Sequence, residues 1–242
     1  MDNKSRIAEQ FIDNLGIMSK DEFATLENAK VLVVGLGGLG GNFAAGLVRL
    51  GVINLMLVDY DRFEEANLNR QAFSNLENVG KYKAEVIREE LLKINPRCAI
   101  EIALGRIQDI AEEKFEDIDY IIDAVDDPQT KIFICELGTK RKLPVLHGAC
   151  AGWYGQVGWF MPGNNSLKTL YGNQTQGIEK DLKNPVFTPN AISAVMVAEF
   201  VKMIKKSDAT CINQLLLIDL FDNSVIKTGV ESADEERITW SK

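Results

Sequence analysis

Arg70 presents a planar fork of donors that matches phosphate oxygens, and Lys83, in the first turn of an expected helix, adds a compact positive charge. Upstream of both lies Gly35-Leu36-Gly37-Gly38-Leu39-Gly40, directly after the aliphatic run Val31-Leu32-Val33-Val34. Glycines where a strand turns into a helix allow a tight bend and close approach of the backbone to a phosphate. The helix N-terminus then favours that phosphate electrostatically. Asp59 ends the next aliphatic run about twenty residues on, a place from which a carboxylate binds ribose hydroxyls. Taken alone, the glycines and this acid fit NAD as well as ATP. Two cations spaced off the acid suit a triphosphate better than a pyrophosphate bridge. The competing reading makes both of them solvated surface charges.

Further carboxylates stand in Asp123-Ala124-Val125-Asp126-Asp127, after the apolar run Tyr120-Ile121-Ile122. Ligands of open α/β sheets bind at the carboxyl ends of strands, and carboxylates there suit a magnesium ion bridged to phosphate. One of the three is expected to cap the helix that Asp127-Pro128 opens. His147 is the single histidine; it is read as structural, at a strand end, with a contact in the cleft as the alternative. Cys98, Cys135, Cys150 and Cys211 form no Cys-x-x-Cys pair, so no zinc-thiolate site is expected. Free, mostly buried thiols suit a reducing compartment. Cys150 is read as a packed thiol rather than a nucleophile.

Alternating elements must hold these groups. Ser19-Lys20-Asp21-Glu22 has capping-box spacing and predicts a short helix to about Glu27. Strands are expected at Val31–Val34 and Leu55–Val58 around a helix from Asn42 to Leu50, one βαβ unit. A helix over Lys81–Ile94, stopped by Asn95-Pro96, leads to strands at Ala99–Ala103 and Tyr120–Ile122. Then come a helix over Gln129–Lys142 and a short strand at Pro144–Leu146. The pattern predicts a Rossmann-like, doubly wound α/β fold, its sheet mostly parallel with helices on both faces. After His147 the texture changes. Gln156–Phe160 reads as a strand of different direction and Met161–Pro185 as a long loop. Thr188-Pro189 reads as N-cap and first position of an apolar, buried helix to about Lys205. Leu215–Leu220 and Ser224–Lys227 form a closing hairpin, so antiparallel strands extend the sheet at its C-terminal end. No repeat or linker interrupts the chain, which reads as a single domain over 1–242. N-terminal helices occupy 1–29, a nucleotide-binding core 30–147 and an extension 148–242.

The set Gly-x-Gly-Gly-Leu-Gly, Asp59-x-Asp61, Asn67-Leu68-Asn69-Arg70-Gln71 and Gly80-x-x-Lys83 resembles the MoeB/ThiF/HesA family, relatives of the adenylation domain of ubiquitin-activating enzymes. The likeness runs from Val31 to Gly155 and more loosely to Ile204. It implies an ATP-dependent adenylyltransferase for the C-terminal glycine carboxylate of a ubiquitin-like sulfur-carrier protein ending in Gly-Gly. Thiamin or molybdopterin/tungstopterin synthesis is the implied setting. By the same resemblance Gly35, Gly37, Gly38, Gly40, Asp59, Asp61, Asn67, Arg70, Gln71 and Lys83 bind ATP. Asp126 would hold Mg²⁺, and Arg70, Lys83 and Asp126 would carry the catalysis. Gly148, Ala149 and Gly152 are small enough to let the carrier tail pass close to the backbone. A homodimer is also implied. The chain departs from its relatives in lacking the zinc-binding Cys-x-x-Cys pairs and any cysteine in Met161–Pro185, which favours adenylation alone over a covalent thioester step. In Arg6-Ile7-Ala8-Glu9-Gln10, Glu9 stands where relatives carry an arginine that reaches the partner's ATP. Arg6 is retained, and the trans contact is in question.

A net charge of -8 repels phosphate backbones and anionic lipid. Met1-Asp2-Asn3-Lys4-Ser5 is not of signal-peptide type, and no run approaches the length of a membrane span. A cytoplasmic protein with neither nucleic acid nor membrane as partner is expected. Three other functions compete. A tRNA threonylcarbamoyladenosine dehydratase would share the ATP site but sits poorly with the acidic balance. An NAD-dependent oxidoreductase leaves Arg70, Lys83 and Asp126 without a task. A non-catalytic nucleotide-binding protein would keep the fold and lack turnover.

Overall fold

The computed structural model describes residues 9–172, 174, 177 and 182–229. Strands β1 (Lys30–Val34), β2 (Asn54–Val58), β3 (Ala99–Ala103), β4 (Tyr120–Asp123) and β5 (Val145–Ala151) pair in parallel. Strands β6 (Tyr154–Phe160), β7 (Gln214–Asp219) and β8 (Ser224–Gly229) continue the sheet antiparallel. Their spatial order is β3-β2-β1-β4-β5-β6-β7-β8. The chain therefore winds one way from β1 to β3, returns, and winds the other way through β4 and β5. The reversal lies between β1 and β4, and the loops leaving those two strands diverge there to open a crevice.

Why the strands read as unbroken aliphatic runs is clear from their two faces. Val31 and Val33 of β1 pack into one core with Phe43 and Leu47 of α2 (Gly38–Leu50), Ile87 of α3 (Lys83–Ile94) and Phe200 of α6 (Phe187–Ile204). Leu32 and Val34 point into a second core with Ile134 and Leu137 of α4 (Pro128–Arg141). Both faces are dry, and each fully buried aliphatic side chain contributes about 1.5–3 kcal/mol. At the N-terminal side α1 (Lys20–Asn28) starts with the expected capping box: the Ser19 hydroxyl accepts from Glu22 N–H, and Glu22 accepts from Ser19 N–H.

Four local expectations are corrected. The glycine loop is shorter than predicted, because α2 begins at Gly38 rather than Asn42. β5 runs on to Ala151, since Gly148 to Ala151 pair with β6 as a hairpin. The predicted loop over Met161–Pro185 contains a short helix, α5 (Ser166–Tyr171), which packs Leu167 and Tyr171 beside Cys135 of α4. Thr188 does not cap α6. The helix starts at Phe187, two residues before the expected first position, and the Thr188 hydroxyl donates to the Gly152 carbonyl, tying the helix to the β5–β6 turn.

α6 itself is buried along one side only, with Ala194 and Ala198 exposed. Against the expectation that no run approaches a membrane span, α6 is 18 residues long and apolar enough, by length and composition only, to cross a bilayer. Here it packs on α2, β5 and β6. Its buried Glu199 accepts from Cys211 N–H and pairs with Lys202.

Candidate active site

A cavity of about 690 Å³ opens at the carboxyl ends of β1, β2, β4 and β5. Its floor is the glycine loop. Gly35 has φ +86°, and a Cβ there would stand 2.7 Å from the Ala124 carbonyl oxygen. A Cβ on Gly40 would fall 1.8 Å from the Gly35 carbonyl oxygen. Only glycine lets helix, turn and β4 loop come this close. Gly37, Gly38 and Leu39, at the start of α2, line the cavity, and no side chain caps the helix there. Uncapped first-turn N–H groups are suited to an anion.

Asp59 directly follows β2 at 7% exposure, one oxygen accepting from Leu36 N–H at 2.6 Å and the other from Asp61 N–H at 2.7 Å. Burial pushes its pKa up, against the opposing pull of the Lys83 ammonium. Each oxygen keeps lone-pair capacity for a hydroxyl donor. Lys83, buried at the first position of α3, meets Asp61 at 2.9 Å. Arg70 lies along the same wall, its guanidinium donating to the Ala66 carbonyl and the Asn69 side chain, both at 2.8 Å. Asn67 is buried, and its side-chain oxygen accepts from Glu64 N–H, closing the turn that precedes Arg70. Gln71 is buried too, and its Oε1 has no partner among the described residues. A buried acceptor left open on a cavity wall calls for a donor from outside.

The three acids at the end of β4 and just beyond it have different partners. Asp127 caps α4, accepting from Thr130 N–H and its hydroxyl at 2.8 and 2.7 Å. Asp123, read from sequence as one of three possible metal ligands, is fully buried and already engaged. His147 Nδ1 lies 2.7 Å from one oxygen, and Lys131 Nζ lies 3.3 and 3.4 Å from the two. Burial alone would raise the Asp123 pKa; Lys131 and then His147 overcome it and hold the carboxyl below its usual range. The His147 pKa is lowered by burial and the Lys131 charge, despite the opposing pull of Asp123. That leaves Asp126, exposed on the cavity wall, with no hydrogen bond or ion pair among the described residues. No group of three or more His, Cys, Asp or Glu suited to a metal occurs among those residues.

Of the three small residues assigned to a carrier tail, Ala149 lines the cavity. Gly148 is buried under α6, where an added Cβ would meet Met196 Sδ at 2.3 Å. Gly152 forms the β5–β6 turn at φ +57°, its N–H donating to the Lys183 carbonyl at 2.7 Å. Cys150 also lines the cavity and is half-buried. Lys131 was not singled out in the sequence, though it too lines the cavity. Its signal was a lysine in the first turn of a helix entered from an acid-rich strand end. Arg6 lies outside the described residues, and Glu9, itself exposed, opens a 3-10 helix (Glu9–Gly16) that buries Phe11.

The ThiF family model matches residues 10–237. A tRNA threonylcarbamoyladenosine dehydratase of Bacillus subtilis is 36% identical over 142 residues, 57% of this chain and 55% of that protein. A probable adenylyltransferase/sulfurtransferase, MoeZ, of Mycobacterium tuberculosis is 26% identical over 226 residues, 88% of this chain and 56% of that protein. The matches thus span about half the length of these two relatives. MccB of Escherichia coli, solved with ATP, superposes with a TM-score of 0.72 at 23% identity, covering 86% of this chain and 66% of that one. At that identity the superposition speaks for the fold.

Proposed function

The chain belongs to the ThiF family, and from that premise we propose that it is an adenylyltransferase that uses ATP to activate a C-terminal carboxylate. The partner in this reading is a ubiquitin-like sulfur carrier ending in Gly-Gly, and the enzyme works as a cytoplasmic homodimer. One observation carries it: Lys83, Arg70, Asp126 and the uncapped start of α2 all line the same cavity as the ribose-type acid Asp59. Nothing in that set is a general base, and none is needed, because a terminal carboxylate is ionised at neutral pH. One carboxylate oxygen attacks the α-phosphorus of ATP. The bond to the bridging oxygen breaks, and pyrophosphate leaves with the electron pair. The protein's part is alignment and charge neutralisation. Lys83 and Arg70 supply fixed cations, and Gln71 Oε1 offers an acceptor.

Magnesium fits this donor set in one way. A phosphate-bridged Mg²⁺ takes one or two protein carboxylates and keeps waters, so Asp126 alone suffices where a dedicated cage would not be met. When bound, the ion would offset charge on the phosphates.

ATP–pyrophosphate exchange in the presence of a purified Gly-Gly carrier tests the proposal. Exchange that depends on the carrier supports it. The 36% identity to a tRNA threonylcarbamoyladenosine dehydratase favours a second reading, with a modified tRNA as acceptor; against it stands the net charge of -8. Stimulation by tRNA and not by carrier would select that reading. ATP binding without exchange in either arm would leave a non-catalytic nucleotide-binding protein.

A further inference from the structure

β4 and β5 pair through three residues only, the last being Asp123 opposite His147. Beyond that pair the strands part. The chain after Asp123 turns through Ala124 and Val125 to Asp126 and α4, while β5 continues through Gly148 to Ala151 against β6. The cavity lies in this gap, so its two walls have no ladder between them. Lys131 fills the break. From the first turn of α4 its Nζ donates to both Asp123 oxygens and, at 3.2 Å, to the Gly148 carbonyl. Asp123 in turn accepts from Val125 N–H at 3.3 Å, one residue before Asp126. His147 Nδ1 closes the unit from the β5 side. The side chain of Lys131 is 3% exposed, so the geometry is held by surrounding atoms rather than by water.

We propose that Lys131 is a positioning residue that fixes the Gly148–Cys150 wall against the Ala124–Asp126 loop, and thereby sets the incoming carboxylate in line with the nucleotide. The proposal rests on the adenylation reading for its kinetic consequence and on geometry alone for its structural one. In this arrangement the nucleotide is held mainly by the glycine loop, Asp59, Arg70 and Lys83, none of which bonds Lys131. Loss of Lys131 therefore leaves ATP affinity in place and misaligns the second substrate.

The test compares Lys131→Met and Lys131→Arg with the wild type in carrier-dependent pyrophosphate exchange, ATP binding by calorimetry, and amide hydrogen exchange of segments 123–127 and 146–151. Lys131→Met is expected to keep its ATP dissociation constant within about twofold while kcat falls about 100-fold, the scale of an ångström-sized misplacement. Both segments should exchange faster by about tenfold or more. Lys131→Arg, which keeps the charge and donors, should recover to within about tenfold of wild type. An ATP affinity that falls in step with kcat, unchanged kinetics in Lys131→Met, or an arginine variant no better than methionine overturns the proposal. Should Lys131→Met fail to fold because Asp123 is left buried and unpaired, the double variant Asp123→Asn/Lys131→Met, which removes both charges, is held to the same criteria. If the wild type shows no exchange with the carrier, the adenylation reading fails on its own; unchanged protection of the two segments in Lys131→Met would then overturn the positioning role separately.

Discussion

At the scale of single residues, the cavity's cations differ in what holds them. Lys83 is buried but its partner Asp61 is about half exposed, so removing the lysine leaves a carboxylate that water can solvate. Lys83→Ala should therefore cost about 10²–10³ in exchange rate while circular dichroism and the unfolding midpoint stay close to wild type. Near-normal exchange would remove the phosphate role. Asp123 and His147 respond to acid in the same sense. The Asp123 carboxyl is held below its usual range, so its stabilisation is present above that range and is lost as pH falls through the folded value. His147 is lowered from 6.5, so below about that pH the unfolded chain takes up a proton that the folded chain refuses, at up to about 1.4 kcal/mol per pH unit. Urea midpoints should fall between about pH 7 and 5, and His147→Gln should flatten that segment of the curve. That Asp59 and the two cations would stand on one cavity wall was legible, because each stands at a fixed distance from a glycine loop or strand end. Asp123 misled because its partners lie 8 and 24 residues away, a pairing that only tertiary structure creates.

At the scale of elements, the tolerance of the glycine loop should vary sharply from one position to the next. Gly40→Ala drives a methyl into the Gly35 carbonyl at 1.8 Å, whereas at Gly37 the nearest atom is Gln71 Nε2 at 3.8 Å. Chemical denaturation should show Gly40→Ala destabilised by about 1–3 kcal/mol or more, with Gly37→Ala close to wild type; equal effects would contradict this loop geometry. In α6, Glu199→Ala strands the buried Cys211 N–H that the carboxylate now accepts. A loss of about 1–3 kcal/mol is expected, where Ala194→Ser on the exposed side should be neutral. The parallel strands and most helices were readable, since aliphatic runs and caps are local signals. α5 escaped because six residues carry too little periodicity, and α6 began early because the Thr188 hydroxyl serves another strand turn instead of its own helix.

For the whole molecule, a ligand that binds only the folded chain raises its stability by mass action. ATP with magnesium at a hundredfold excess over its dissociation constant should add about 2.7 kcal/mol, and NADH should add nothing measurable; the reverse ranking in a thermal melt would revive an oxidoreductase. β5 has a consequence for how such ligands communicate. Its first three residues are laced to β4, and its whole length is laced to β6, which carries β7 and β8 behind it. The outer strands are thus mounted on the same backbone that forms the cavity wall at Ala149 and Cys150. Any displacement of those outer strands would therefore carry the Ala149–Cys150 wall with it, bending beyond His147, where the β4 ladder ends.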